Sequence, residues 1–170
     1  MKLSASSTLW VVCSPFRRPF QLGYVTADLE AAVAAMRAEQ GVELANFGVV
    51  TLDLIDGDHI DIKVALGYAR DVMIELIEPV GDIPLYAGHL PDRSGPSRLH
   101  HIGYSVEDAD ELNDVVAAHR RLGHEVALNA RLGDARYTYV DTLAKLGHFQ
   151  EYLLVDSAGR AWQESLPRNT

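Results

Sequence analysis

The sequence predicts an α+β protein: two βαβββ modules in tandem, whose strands form a cupped, barrel-like mixed sheet around a cavity. Three observations carry this. The chain repeats itself internally, a helical apolar pattern follows the first strand of each copy, and three strand-like runs follow each helix. The repeat sets Phe20–Gly41 against His100–Gly123. Gly23, Tyr24 and Asp28 match Gly103, Tyr104 and Asp108 at one offset of 80 residues (103 − 23, 104 − 24 and 108 − 28), and at that offset Gln21 falls on His101.

Taken in order, residues 1–19 form an N-terminal leader or an extra edge strand. They carry a lysine, a short apolar run from Leu9 to Cys13, and then Arg17 and Arg18 as solvated charge, a weak match to a secretion signal. The first module spans 20–79. Its opening strand runs into Asp28, after which Leu29, Val33 and Met36 recur at helical spacing among alanines. Thr26 or Asp28 can cap the start of that helix, and Gly41 lies just past its end. Strand-like runs follow at Glu43 to Ile55, Ile60 to Ala69 and Val72 to Glu78, with the turn Asp56-Gly57-Asp58 between the first two. Residues 80–98, rich in Gly and Pro, are a linker. The second module spans 99–156. Asp108 or Asp110 caps its helix, Leu112, Val115 and Val116 recur, and Gly123 ends it. Its strands are Glu125 to Ala130, Arg136 to Asp141 and Phe149 to Val155, and 157–170 is a C-terminal tail.

Composition sets the class. The chain has 170 residues, 48% hydrophobic and 23% charged, the balance of a soluble globular domain. A net charge of −9 argues against nucleic acid as a partner and leaves a small molecule as the expected ligand. One cysteine, Cys13, allows no internal disulfide, and no run approaches the roughly 20 apolar residues of a membrane span. A cytoplasmic protein that does not engage a membrane is therefore expected.

Strands at equivalent places in two related modules present equivalent residues to a shared cavity. The first strands offer Gln21 and His101. The last strands offer Glu75 and Glu151, 54 and 50 residues further on (75 − 21 and 151 − 101). Glu75 alternates with Ile74 and Leu76, so it points away from the apolar face. One imidazole, one amide and two carboxylates form a mostly oxygen donor set that suits Zn²⁺, Ni²⁺, Co²⁺, Mn²⁺ or Mg²⁺. His100, next to His101, is expected on the opposite face as a surface or dimer-contact residue. His148 is expected outside the donor set, near the mouth. Asp61 and Lys63 share a strand face and are expected to form an outward salt bridge, His59 to be exposed, and Glu78 to lie at a strand end. Tyr137 and Tyr139 either flank a substrate or pack.

Four segments, QLGYVTADLE, MIELIEP, LHHIGYSV and QEYLLVD, resemble in order the opening and closing strands of the two modules of the vicinal oxygen chelate superfamily. That superfamily includes glyoxalase I, methylmalonyl-CoA epimerase, bleomycin resistance proteins and the extradiol dioxygenases. The resemblance runs from Phe20 to Asp156. It implies that Gln21, Glu75, His101 and Glu151 hold one divalent metal ion, a set more like that of glyoxalase I than the two histidines and one carboxylate of the Fe(II) dioxygenases. It implies Glu151, then Glu75, as the general base, a homodimer, and a metal-dependent isomerase, epimerase or lyase acting through an enolate of a small oxygenated or acyl-thioester substrate. The alternatives are a metal-free drug-binding protein of the same fold and, third, an Fe(II) dioxygenase.

Overall fold

A computed structural model describes residues 19–91 and 96–170; the expectations for the leader, Cys13, Arg17 and Arg18 lie outside the described residues. The first module opens with β1 (Pro19–Val25), whose alternating burial marks a strand with two unlike faces. Asp28 then caps α1 (Leu29–Ala35) by accepting from the Ala31 amide. The last turn widens to a π-helical segment, Met36–Gln40, and Gly41 ends it at φ 67°. Strands β2 (Ala45–Leu54), β3 (His59–Ala69) and β4 (Val72–Pro79) complete the module.

The segment between the modules contains a short helix, α2 (Pro84–Ala87), with proline in its first turn and Leu85 and Tyr86 buried. The second module repeats the order: β5 (Arg98–Val106), α3 (Ala109–Arg121) capped by Asp108, β6 (Val126–Leu132) and β7 (Ala135–Val140). A single-turn helix, α4 (Leu143–Leu146), precedes β8 (Phe149–Leu154). The last segment forms α5 (Ser157–Glu164), capped by Asp156, and β9 (Arg168–Asn169), which pairs with β3. No helix among the described residues is long and apolar enough to cross a membrane.

The strands form one sheet in the order β2-β6-β7-β8-β5-β1-β4-β3-β9, and pairing of β2 with β3 closes eight of them into a barrel. The modules meet where β1 lies antiparallel to β5, flanked by the parallel pairs β1–β4 and β5–β8. At the other side β2 meets β6 through only Asp53↔Arg131 and Leu54↔Ala130. Among the described residues the rest of β2 has no strand partner on that edge, and Phe47 and Val49 to Leu52 line the cavity.

The helices cover the outside of the barrel. Leu29 and Ala32 of α1 pack on Ala65, Ile74 and Leu76, and Leu112 and Val115 of α3 pack on Tyr104, Val140 and Tyr152. Alternation then sends Glu75, between Ile74 and Leu76, to the inner face. One end of the interior is closed by Val25, Ile77, Ile83, Leu85, Tyr86 and Phe149. Each fully buried large side chain of this plug and of the two outer layers contributes roughly 1.5–3 kcal/mol to holding the barrel closed.

Candidate metal centre

The pairing register explains why the repeat contains glycines where it does. Across β5, β1 and β4, His101 pairs with Gly23 and Gly23 with Glu75. In the adjoining row, Glu151 pairs with Gly103 and Gly103 with Gln21. Each row is donor, glycine, donor, and the bare glycine lets a neighbouring side chain lean across it. A Cβ added at Gly23 would stand 1.8 Å from the His101 ring, and one at Gly103 would stand 2.8 Å from Gln21 Cβ. The matched glycines thus exchange roles: each accommodates the other module's donor.

The four predicted donors come together on the cavity floor. Gln21 Nε2 donates to Glu75 Oε2 at 2.7 Å, and His101 Nε2 lies 3.1 Å from that oxygen and 3.4 Å from Glu151 Oε2. Donor atoms of Glu75, His101 and Glu151 all lie within 4.8 Å of one another. Gln21 lies alongside, its Nε2 3.4 Å from His101 Nε2, and a half-turn of its amide brings Oε1 to face the group.

The charges are unusual for so buried a place. His101 is fully buried and Glu151 is 1% exposed. Burial works against a charge on His101, but the Glu151 and Glu75 carboxylates outweigh it and push its pKa up to about 9. Burial raises the pKa of Glu75, against the hydrogen bond from His101. Among the described residues Glu151 Oε2 has no hydrogen-bond partner, and His101 Nε2 meets it as an ion pair at 3.4 Å. Without a cation the two carboxylates cannot both carry their charge cheaply in so buried a place, and burial pushes Glu75 toward its protonated form. The donor set, the orphaned oxygen and this charge fit a divalent ion.

His100 departs from expectation. Instead of lying on the surface it is fully buried, because the register slips: Gly23 pairs with His101 but Tyr24 pairs with Leu99, so His100 is the extra residue of a β-bulge and turns inward. Its ring lies among Tyr86, His89, Tyr139 and Phe149. The bulge builds a hydrogen-bond chain. His100 Nε2 lies 3.1 Å from the Leu85 carbonyl oxygen, which only accepts, so Nε2 carries the proton. Burial, and then the charge of His101, lower the His100 pKa to about 3 and keep it neutral, with Nδ1 a bare acceptor. His101 Nδ1, 3.1 Å away, must then be the donor, which leaves His101 Nε2 as the nitrogen that faces the carboxylates.

The remaining candidates sort plainly. Tyr137 and Tyr139 line the cavity, and burial raises the pKa of both, so their hydroxyls stay protonated. Lys63 is outward, paired with its cross-strand neighbour Glu78 at 2.6 Å, while Asp61 accepts from Thr51. Glu78 also accepts from the Leu29 amide, tying β4 to the start of α1. His59 is exposed. His148 is spent on the Phe149 carbonyl. Sequence reasoning missed Tyr86, from the linker helix, and Trp162, from α5, both of which line the cavity. The signals were present: Pro84 ahead of Leu85-Tyr86, and Asp156 placed to cap Gly159.

The family model described as Glyoxalase/Bleomycin resistance protein/Dioxygenase superfamily matches residues 20–139. No curated protein sequence matches the chain. Among solved structures, a hypothetical protein of Bacillus halodurans has 15% identity and a TM-score of 0.57, covering 82% of this chain and 95% of its own. A methylmalonyl-CoA epimerase of Streptomyces coelicolor has 20% identity and a TM-score of 0.55, covering 83% and 99%. That of Mycobacterium tuberculosis has 17% identity and a TM-score of 0.56, covering 85% and 91%. At these identities the likeness is one of fold. Because the family model spans both modules as far as β7, this chain belongs to the glyoxalase, bleomycin resistance protein and dioxygenase superfamily, the vicinal oxygen chelate proteins.

Proposed function

We propose that this chain is a divalent-metal-dependent isomerase, epimerase or lyase that works through the enolate of a carbonyl substrate. The observation that carries the reading is the convergence of Gln21, Glu75, His101 and Glu151 on one buried spot, with a carboxylate oxygen left without a hydrogen bond. A divalent ion held by these four would supply Lewis-acid polarisation of the substrate carbonyl. Glu151 is the first choice to take the proton from the carbon next to that carbonyl, and Glu75 is the second. Glu75, whose oxygen also faces His101, suits the complementary task of returning a proton. Removal by one carboxylate and return by the other inverts a centre or moves a double bond, with no net proton exchanged. The Tyr137 and Tyr139 rings flank the substrate and exclude water. Two of the similar structures are epimerases, which supports proton transfer at carbon as the reaction type.

The test is hydrogen–deuterium exchange at the α-carbon of small ketones in D₂O, followed by proton NMR with metal-loaded protein. Exchange that disappears in Glu151→Gln and on chelation is the expected result. Undiminished exchange in a chelated Glu75→Gln/Glu151→Gln protein would overturn the proposal. Tight binding of a small molecule that ignores chelator, with no exchange, would favour the metal-free binding protein.

A further inference from the structure

The cavity above the donor cluster is about 540 Å³, in the range of sites for drug-sized ligands. Among the described residues that line it, the charged ones are Glu75 and Glu151, at the floor beside His101, and none is a lysine or arginine. Its walls are mostly aliphatic and aromatic, with Thr51 and Gln163 among them. At the mouth, α5, which lies beyond the part matched by the family model, places Trp162 against Phe47 of β2, with ring centroids 5.3 Å apart. Both rings remain about half exposed, Trp162 at 46% and Phe47 at 40%, although they are among the largest apolar side chains in the described residues. Such rings are available to cover an apolar ligand body.

We infer that the site takes a carbonyl compound with an uncharged aromatic or branched alkyl body, and that Phe47 and Trp162 select that body. This rests on the metal-dependent reading for the oxygenated end of the ligand only. A polyanionic acyl thioester is disfavoured by the same lining: its phosphates would meet no lysine or arginine among the described lining residues, in a chain whose net charge is −9. The ligand enters with its oxygens toward His101 and the two glutamates, and its apolar body displaces water from between β2, β7 and α5.

The experiment is calorimetric titration of the full chain, metal-loaded and chelated, with 2-hydroxyacetophenone and with propionyl-CoA as probes. Saturable binding of the neutral ketone, weakened about tenfold in Trp162→Ala and in Phe47→Ala and restored in Trp162→Phe, is expected, with weaker or no binding of propionyl-CoA. Both positions are half exposed, so the variants should fold, and circular dichroism checks this. Propionyl-CoA binding more tightly than the ketone, or ketone binding indifferent to both aromatic variants, would overturn the inference. The chelated arm separates the two readings. Ketone binding that depends on Trp162 but not on metal would keep the ligand class and refute the metal centre, whereas metal-dependent binding that prefers the thioester would do the reverse.

Discussion

Replacing Gly23 with alanine is the sharpest structural perturbation available. The new methyl would stand 1.8 Å from His101 Cε1, 2.1 Å from Nε2 and 2.3 Å from Nδ1. Carbon atoms rest at about 3.5 Å, so the ring has to retreat by more than about 1.5 Å or the two strands have to part. Retreat is opposed by His100 and Tyr139, whose rings pack against that of His101. Metal–ligand distances tolerate only about 0.2 Å, so the variant loses the imidazole as a donor, and affinity for a divalent ion should fall at least roughly a hundredfold. Gly103→Ala is the graded control. Its methyl meets Gln21 Cβ at 2.8 Å and Oε1 at 3.1 Å, the latter at the flexible end of a side chain, so a smaller loss is expected. The assay is competition with a chromophoric chelator on protein shown by circular dichroism to be folded. A folded Gly23→Ala protein that binds metal as tightly as the parent would refute the claim that the glycine exists to admit the imidazole.

Three other outcomes follow from the geometry. His100→Phe keeps a ring in the aromatic cluster but removes the acceptor for His101 Nδ1 and the donor to Leu85, so metal affinity should drop about 10–100-fold and stability by about 1–3 kcal/mol for each stranded group; unchanged values in both titrations would contradict the tautomer argument. Burial, then the charge of His124, lowers the His119 pKa to about 4, so an unfolded chain takes up a proton below pH 6.5 that the folded chain refuses. Stability from this group is therefore full above pH 6.5 and falls as the pH drops toward 4, by a total on the order of 3 kcal/mol. Urea denaturation across that range should show a shallower acid limb in His119→Gln, and an unaltered limb would refute it. Lys63→Met should leave the urea midpoint nearly unchanged by the same method, because its ion pair with Glu78 is partly solvated and outside the cavity; a large fall in the midpoint would contradict that placement.

The parts of this account legible in the sequence are those governed by period and symmetry. The repeat carried the fold because matched residues at one offset have matched roles: Asp28 and Asp108 both cap helices, and Gly23 and Gly103 both lie under a donor. The parity of Glu75 between Ile74 and Leu76 was readable because strands alternate with period two. Features set by pairing register were not readable. The bulge that turns His100 inward depends on where β5 slips against β1, and the partner of Lys63 is its cross-strand neighbour Glu78 instead of Asp61 two places along the same strand. Trp162 and Tyr86 escaped notice because each reaches the cavity from a short helix outside the repeat, where no matched copy points to it. The widening of the first helix to a π segment at Met36–Gln40 has no evident signal among its residues, which include good helix formers.

The most direct test is elemental analysis of the native purified protein by plasma mass spectrometry, with His101→Ala beside it. The account predicts about one divalent ion per chain, lost in the variant, because His101 Nε2 and the two glutamates face one spot. A native protein that carries no metal, and takes up none on dialysis against the divalent series, would contradict it.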